Sequence, residues 1–214
     1  GIAYRELAVA VSLWVYFNRV STIAAIPPES MEELPDRWAM RLLRPFIAGR
    51  LDRTYRTTGR ETRLPPELRS GPCARAINAL DGLPQAPILR RAVNAMWASD
   101  GLPRRTRAFM GATIARALAC PTSEAEVMAL LTEDGVERDT VEGVLRHLDA
   151  PGLSETERAL VRFARETVWY EPAPLQRRAH ELRERLSERE FVETIGTVSF
   201  ANMLCRLSLA LALE

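Results

Sequence analysis

The 214-residue chain predicts an all-α protein, and three observations carry that reading. Apolar residues recur at the helical period along most of the chain, and its valines and isoleucines all sit inside period-3.6 patterns, with no convincing strand. Ser-x-x-Glu pairs stand immediately before apolar-periodic runs at Ser123–Glu126, Ser154–Glu157 and Ser187–Glu190, the signature of a capped helix start. Composition agrees: 47 % of residues are hydrophobic but only 7 % aromatic, and Ala, Leu, Arg and Glu abound.

The first helix is predicted over Tyr4–Ala24. It is apolar on most sides (Leu7, Val9, Val11, Leu13, Trp14, Val15, Phe17), which predicts burial, and Pro27-Pro28 stop it. Ser30 and Glu33 are placed to start a short turn, and Asp36 to cap a helix through Trp38, Met40, Leu42 and Leu43 that Pro45 bends or ends. Residues 51–72 are polar and hold Gly59, Pro65, Pro66, Gly71 and Pro72, so they read as a linker or long surface loop. Cys73–Leu80 reads as a short helix closed by Asp81-Gly82. Ala86–Ala98 is a second, with Ile88, Leu89, Val93 and Met96-Trp97 as its buried side. Thr140–Leu148 is a short amphipathic helix. Ser154–Trp169 turns Leu160, Phe163, Ala164 and Val168 inward. Leu175–Leu186 has a seam of Leu175, Ala179, Leu182 and Leu186, and Phe191–Leu213 is the last helix. Its apolar run contains Asn202 and Arg206, which favours a core helix over a membrane span.

The chain is organised around Arg104–Val136, which reads as two helices meeting at Ala119-Cys120-Pro121-Thr122. Met110, Ile114 and Leu118 line one face of the first. Pro121 cannot continue that helix and pushes Cys120 towards an extended conformation. Ser123 and Glu126 are expected to box the start of the second helix, Val127, Leu130 and Leu131 to bury it, and Gly135 to end it. A cysteine just before a helix start is where unpaired backbone N–H groups stabilise a thiolate.

This stretch resembles the alkylhydroperoxidase D-like, or carboxymuconolactone decarboxylase, family. There a helix ending in a Cys-x-x-Cys motif runs into a second helix that carries a histidine. The family's peroxidase pattern is a glutamate, eleven residues, Cys-x-x-Cys, three residues and a histidine. Laid on this chain without gaps, the first cysteine is Cys120, the glutamate falls on Ala108, the second cysteine on Ser123 and the histidine on Val127. The resemblance therefore implies the family's helical bundle with a degenerate redox motif. Cys120, Ser123 and Glu126 are the candidate site residues, and no cofactor or metal is implied. Two readings of Cys120 stand side by side: a redox or nucleophilic thiol at a helix start, or a small buried residue at a helix junction. Glu126 is either a carboxylate of the pocket or only a capping residue.

The remaining composition narrows the alternatives. Twenty-nine basic residues stand against 28 acidic ones, for a formal charge of +1, and the two signs are interspersed, so neither nucleic acid nor a membrane surface is a predicted partner. Every basic residue is arginine, so lysine Schiff-base chemistry is excluded within the chain. The three cysteines are odd in number and widely spaced, which fits a reducing, cytoplasmic compartment rather than a disulfide framework. The two histidines, His147 and His180, show no metal-ligand spacing.

The two ends of the chain resemble each other. Tyr4–Arg19 lies on Phe191–Arg206 at a constant offset of 187 residues, pairing Tyr4 with Phe191, Glu6 with Glu193, Ser12 with Ser199 and Arg19 with Arg206, while Asn18 takes the place of Cys205. In the family it resembles, the last helix of each unit has this form, and such an arginine helps hold units together. Glu6–Arg19 and Glu193–Arg206 are accordingly read as structural or interface ion pairs. Residues 1–26 then read as the closing helix of a preceding unit, 27–72 as a linker with a short helix, and 73–214 as a complete unit. The chain starts at Gly1, which fits a terminus that is processed, cut or incompletely represented. The function expected on this reading is the supporting half of a two-unit enzyme or oligomer, partnered by copies of itself or by an upstream companion half. The alternative is an enzyme of peroxidase or decarboxylase type that takes a small organic substrate into the same helical pocket. A third possibility is a module that only binds a small-molecule ligand there.

Overall fold

The computed structural model describes residues 2–25 and 63–213, and within them every regular element is helical. The boundaries are α1 Ile2–Ile23, a 3-10 turn at Pro66–Leu68, α2 Ala74–Asn78, α3 Gln85–Ala98, α4 Arg104–Ala117, α5 Pro121–Glu133, α6 Arg138–His147, α7 Glu155–Glu166, α8 Pro172–Arg183 and α9 Glu188–Ala210. The all-α expectation is met. The predicted elements at Ser30–Glu33 and Asp36–Pro45 and most of the expected loop fall outside the described residues.

The bundle is built around α4. Ten consecutive residues, Thr106–Ala115, are buried, because α5, α6, α7 and α9 cover it from all sides. Met110 and Ile114 face a core shared with α7, α8 and α9, whereas Ala108, Phe109 and Ala112 face Val127, Leu131, Val141 and Val144 on α5 and α6. Small residues let α5 come close: a Cβ added at Gly111 would sit 3.7 Å from the Val127 side chain.

The local signals at α7 and α9 are met in full. Ser154 with Glu157, and Ser187 with Glu190, each form a reciprocal capping box. The α8 seam of Leu175, Ala179, Leu182 and Leu186 is buried as its spacing predicts. On α3, Leu89 and Val93 are buried, but Ile88 is exposed and the fully buried neighbour is Arg90. Its guanidinium donates to the Leu68 and Pro72 carbonyls, which order the segment ahead of α2.

Two further expectations are corrected. The first helix is not buried on most sides. It lies along α9, with Val9 and Ser12 turned inward, while Tyr4, Leu7, Val11, Trp14 and Phe17 stay exposed. The Glu193–Arg206 pair does not form. The Glu193 carboxylate instead meets Arg107 at 3.3 Å and accepts from the Gly101 and Leu102 N–H groups and from Ser99 Oγ. Arg206 donates to Asn202 Oδ1 and to the Val168 carbonyl. The α3–α4 turn presents three donors to a carboxylate on α9, so Glu193 is satisfied there.

Candidate functional site

Cys120 is held by two helix ends at once. At the C-terminus of α4, Ala119 adopts a left-handed conformation (φ 51°). The Cys120 N–H then reaches back to the Ala115 carbonyl at 2.9 Å and the Ala119 N–H to Arg116 at 3.1 Å, which is a Schellman closure. One residue on, Pro121 takes the first position of α5, where its fixed φ fits and its missing N–H costs nothing, and Cys120 becomes the N-cap. This corrects the predicted start of α5. Ser123 lies inside the first turn and makes no box with Glu126.

The freed side chains take different directions. Ser123 Oγ lies 3.2 Å from Cys120 Sγ and 3.5 Å from Ser208 Oγ on α9. Glu126 leaves Cys120 altogether. Its carboxylate accepts the Arg75 N–H at 2.9 Å, at the start of α2, where its charge also acts on Cys73 and Arg90. Burial holds the Glu126 carboxyl above the usual carboxylate range despite that N–H and the nearby arginines. Of the three residues nominated from sequence, the structure therefore joins Cys120 and Ser123 and separates Glu126. Val127, at the family's histidine position, is buried against Phe109 and Leu131.

The residue that sequence reading missed is Cys205. It lies on α9, with its carbonyl 3.6 Å from Cys120 Sγ. The signal available in the sequence was the end-to-end alignment, where Cys205 departs from Asn18 beside two matching arginines. Donation from the Cys205 thiol is the largest influence on Cys120. The Ser123 hydroxyl and N–H and the Ser208 hydroxyl add to it, and together they outweigh burial and bring the Cys120 pKa down to about 6. Cys205 moves the opposite way, well above the ordinary thiol value, because it gives its hydrogen bond to Cys120 and is buried. The third thiol, Cys73, is pushed up to about 12 by burial and by the Glu126 carboxylate.

A cavity of about 30 Å³ lies against this cluster, with Cys73, Ser123 and Cys205 in its wall together with Trp97, Arg107 and Thr197. That volume holds a water-sized molecule and little more. Three of the lining residues have a buried polar atom with no hydrogen-bond partner among the described residues: Trp97 Nε1, Arg107 Nε and Thr197 Oγ1. The surface these residues turn to the cavity is nonetheless almost entirely apolar, so the space suits an apolar group rather than a polar guest. Larger depressions, about 450 Å³ beside Trp169 and Arg178 and about 350 Å³ beside Arg116 and Arg165, are open grooves that hold none of the three cysteines. Among the described residues no group of three or more His, Cys, Asp or Glu is arranged to hold a metal ion, and no helix is long and apolar enough to cross a membrane.

Comparison with known proteins agrees with the frame. Residues 86–166, from α3 to the end of α7, match the carboxymuconolactone decarboxylase family. No curated protein matches the sequence. Among solved structures, the chain is similar to a cysteine-to-alanine variant of the debrominase Bmp8 in complex with 2,3,4-tribromopyrrole, with a TM-score of 0.57, 16 % identity, 72 % of this chain covered and 90 % of that one. At that identity the likeness is one of fold.

Proposed function

Starting from a carboxymuconolactone decarboxylase-type helical unit, we propose that this chain is a thiol-dependent enzyme acting on a small organic or peroxidic substrate, with Cys120 as its nucleophile. The observation that carries the reading is the polar surround of one buried sulfur: Cys120 Sγ lies 3.2 Å from the Ser123 hydroxyl and 3.6 Å from the Cys205 carbonyl, and the Ser208 hydroxyl lies 3.5 Å beyond Ser123. A cysteine serving only to fill space needs no such surround. The Cys120 pKa is brought down to about 6, and the thiolate is the reactive form of a cysteine. A base to remove its proton is then unnecessary, which answers the absence of a histidine at Val127. Ser123 is the polar neighbour of the sulfur, and Glu126, turned to the start of α2, takes no part. The similar debrominase supports an enzymatic use of this fold on a small molecule.

The test is turnover of a panel of hydroperoxides and halogenated aromatics with a thiol reductant, followed by thiol consumption. Cys120→Ser should abolish it, and full activity in that variant would remove Cys120 as the nucleophile.

One observation favours a second reading, in which the chain supports another helical unit. The exposed residues Tyr4, Leu7, Val11 and Trp14 follow helical spacing along a single face of α1. Native mass spectrometry of the protein from its own source separates a second copy from a companion polypeptide as the occupant, and a lone chain would remove this reading.

A further inference from the structure

We infer that the groove between α4, α6 and the end of α7 is a binding site for a small aromatic carboxylate. It is separate from the Cys120 cluster and independent of how Cys120 is used.

The groove encloses about 350 Å³, the scale of a site that takes a whole small molecule. Unlike the small cavity beside Cys73, it presents polar and apolar surface in near-equal shares. Arg116, Arg146 and Arg165 are its charged lining residues, and no carboxylate lines it. The grooves along α7 and α8 differ, because Glu166 and Glu181 stand among the arginines of both.

The three arginines are not equally committed. Arg116 forks onto the Glu124 carboxylate at 2.6 and 2.9 Å. Glu142 is shared between Arg116, at 3.3 Å, and Arg146, at 3.4 Å. The Arg165 guanidinium makes no hydrogen bond and no ion pair among the described residues. It lies over the Trp169 ring, 4.3 Å from the centroid, and its Nη1 is buried without a partner. Thr113, on α4, supplies a second such atom to the same lining, a buried hydroxyl with no partner. A helix threonine has an acceptor at hand in its own backbone. Thr132 and Thr194 each use the carbonyl four residues back, and Thr113 does not. Buried polar groups are rarely left unpaired, and an unpaired guanidinium nitrogen beside an unpaired hydroxyl is satisfied by a bound anion.

The neighbours narrow the anion. Of the lining arginines only Arg165 is uncommitted, so the groove matches a single negative charge better than a phosphate's. The planar guanidinium takes a carboxylate through two parallel N–H···O bonds. Trp169 is half exposed, which leaves indole surface for a flat ring beside the guanidinium, and Leu145 and Leu148 add apolar wall.

The experiment titrates the full chain at low salt with benzoate, benzamide and cyclohexanecarboxylate. Calorimetry gives the affinity, and the indole N–H resonances give the place, with Trp169 assigned by its loss in Trp169→Phe. Benzoate should bind once per chain and shift the Trp169 resonance. Benzamide lacks the charge and cyclohexanecarboxylate the flat ring, so each should bind at least about tenfold more weakly. Arg165→Gln should lose about the same factor, and Arg178→Gln, in the neighbouring groove, should lose none. Benzoate that fails to saturate by about 10 mM would overturn the site. So would benzoate binding no tighter than the other two probes, or binding that leaves the Trp169 resonance unmoved. Inorganic phosphate binding more tightly than benzoate would overturn the ligand class. The Trp169 shift in the parent chain decides the matter even where Arg165→Gln folds poorly.

Discussion

Arg19 and Arg206 donate to the same atom, the Val168 carbonyl oxygen, at 3.3 and 3.1 Å. They are the two arginines that the end-to-end alignment pairs, one on α1 and one on α9, and they close on the C-terminal end of α7 from two directions. Arg19 adds a 2.7 Å bond to the Thr167 carbonyl, and Asn202 ties Arg206 to the Thr167 hydroxyl. Burial, and then the neighbouring Arg206 charge, lower the Arg19 pKa to about 10, so the two cations tolerate each other only because helix-end carbonyls lie between them. Arg19→Ala should cost about 2–3 kcal/mol by urea unfolding, since it leaves the buried Thr167 carbonyl without its charged donor. The double variant with Arg206→Ala should cost less than the sum of the singles, and strict additivity would show that the arginines act independently.

The thiolate of Cys120 should be visible directly. Ultraviolet titration of the native chain is expected to reveal one thiolate per molecule with a midpoint near pH 6, lost in Cys120→Ser. Ser123→Ala should raise that midpoint by about one to two units, the worth of a hydrogen bond to a charged group. Because the folded value lies below the unfolded one, the stability gained from Cys120 is complete above the ordinary thiol pKa, near 9, and fades as pH falls through about 6. Absorbance that stays flat up to pH 9 would sink the assignment.

Glu193 should be the most sensitive carboxylate in the bundle. Burial alone would raise its pKa, but Ser99 Oγ, the Leu102 and Gly101 N–H groups and Arg107 hold it below the usual range. Its stabilisation is present above the unfolded carboxylate pKa of about 4.3 and is lost as pH falls through the lower folded value. Glu193→Ala should cost about 3–5 kcal/mol at pH 7, since Arg107 is left buried beside an empty site. Gly101→Ala gives a steric test of the same contact, because its Cβ would lie 2.5 Å from Glu193 Oε1. Denaturation midpoints of both variants within experimental error of the parent would refute this role.

Ala119→Gly should stabilise the fold, by about 0.5–1 kcal/mol. Alanine pays a steric penalty in the left-handed conformation that closes α4, and glycine does not, although it gives back part of the gain as unfolded-state entropy. The expected reading is a higher melting temperature with Cys120 titrating as before.

Replacing Trp14 and Leu7 with glutamate should leave the monomer's stability within about 0.5 kcal/mol, since both side chains are exposed. If α1 meets another helical unit, the pair of changes should lower the assembly's mass in light scattering. An unchanged mass would clear that face of any such role.

How much of this was legible depends on the range of the interaction. The capping boxes at Ser154 and Ser187 were readable because every participant lies within four residues. The false box at Ser123 had the same letters, but Pro121 competed for the helix start and won, and only the fold shows Glu126 reaching α2 instead. Arg90 could not be foreseen as a core residue, because the Leu68 and Pro72 carbonyls that satisfy it come from a loop about twenty residues earlier. Cys205 was hidden for the same reason: its proximity to Cys120 is set by how α9 lies on α4 and α5, which no local periodicity encodes.

The dense packing of α4 against α5 leaves little room for polar side chains between them. The positions where the family pattern would put a glutamate and a histidine, Ala108 and Val127, sit in one apolar cluster, at 0 % and 5 % exposure. Restoring Ala108→Glu alone would force a carboxylate into a space sized for a methyl group, at a cost on the order of several kcal/mol before any chemistry returned. A polar side chain at either position would therefore have to displace packed apolar neighbours.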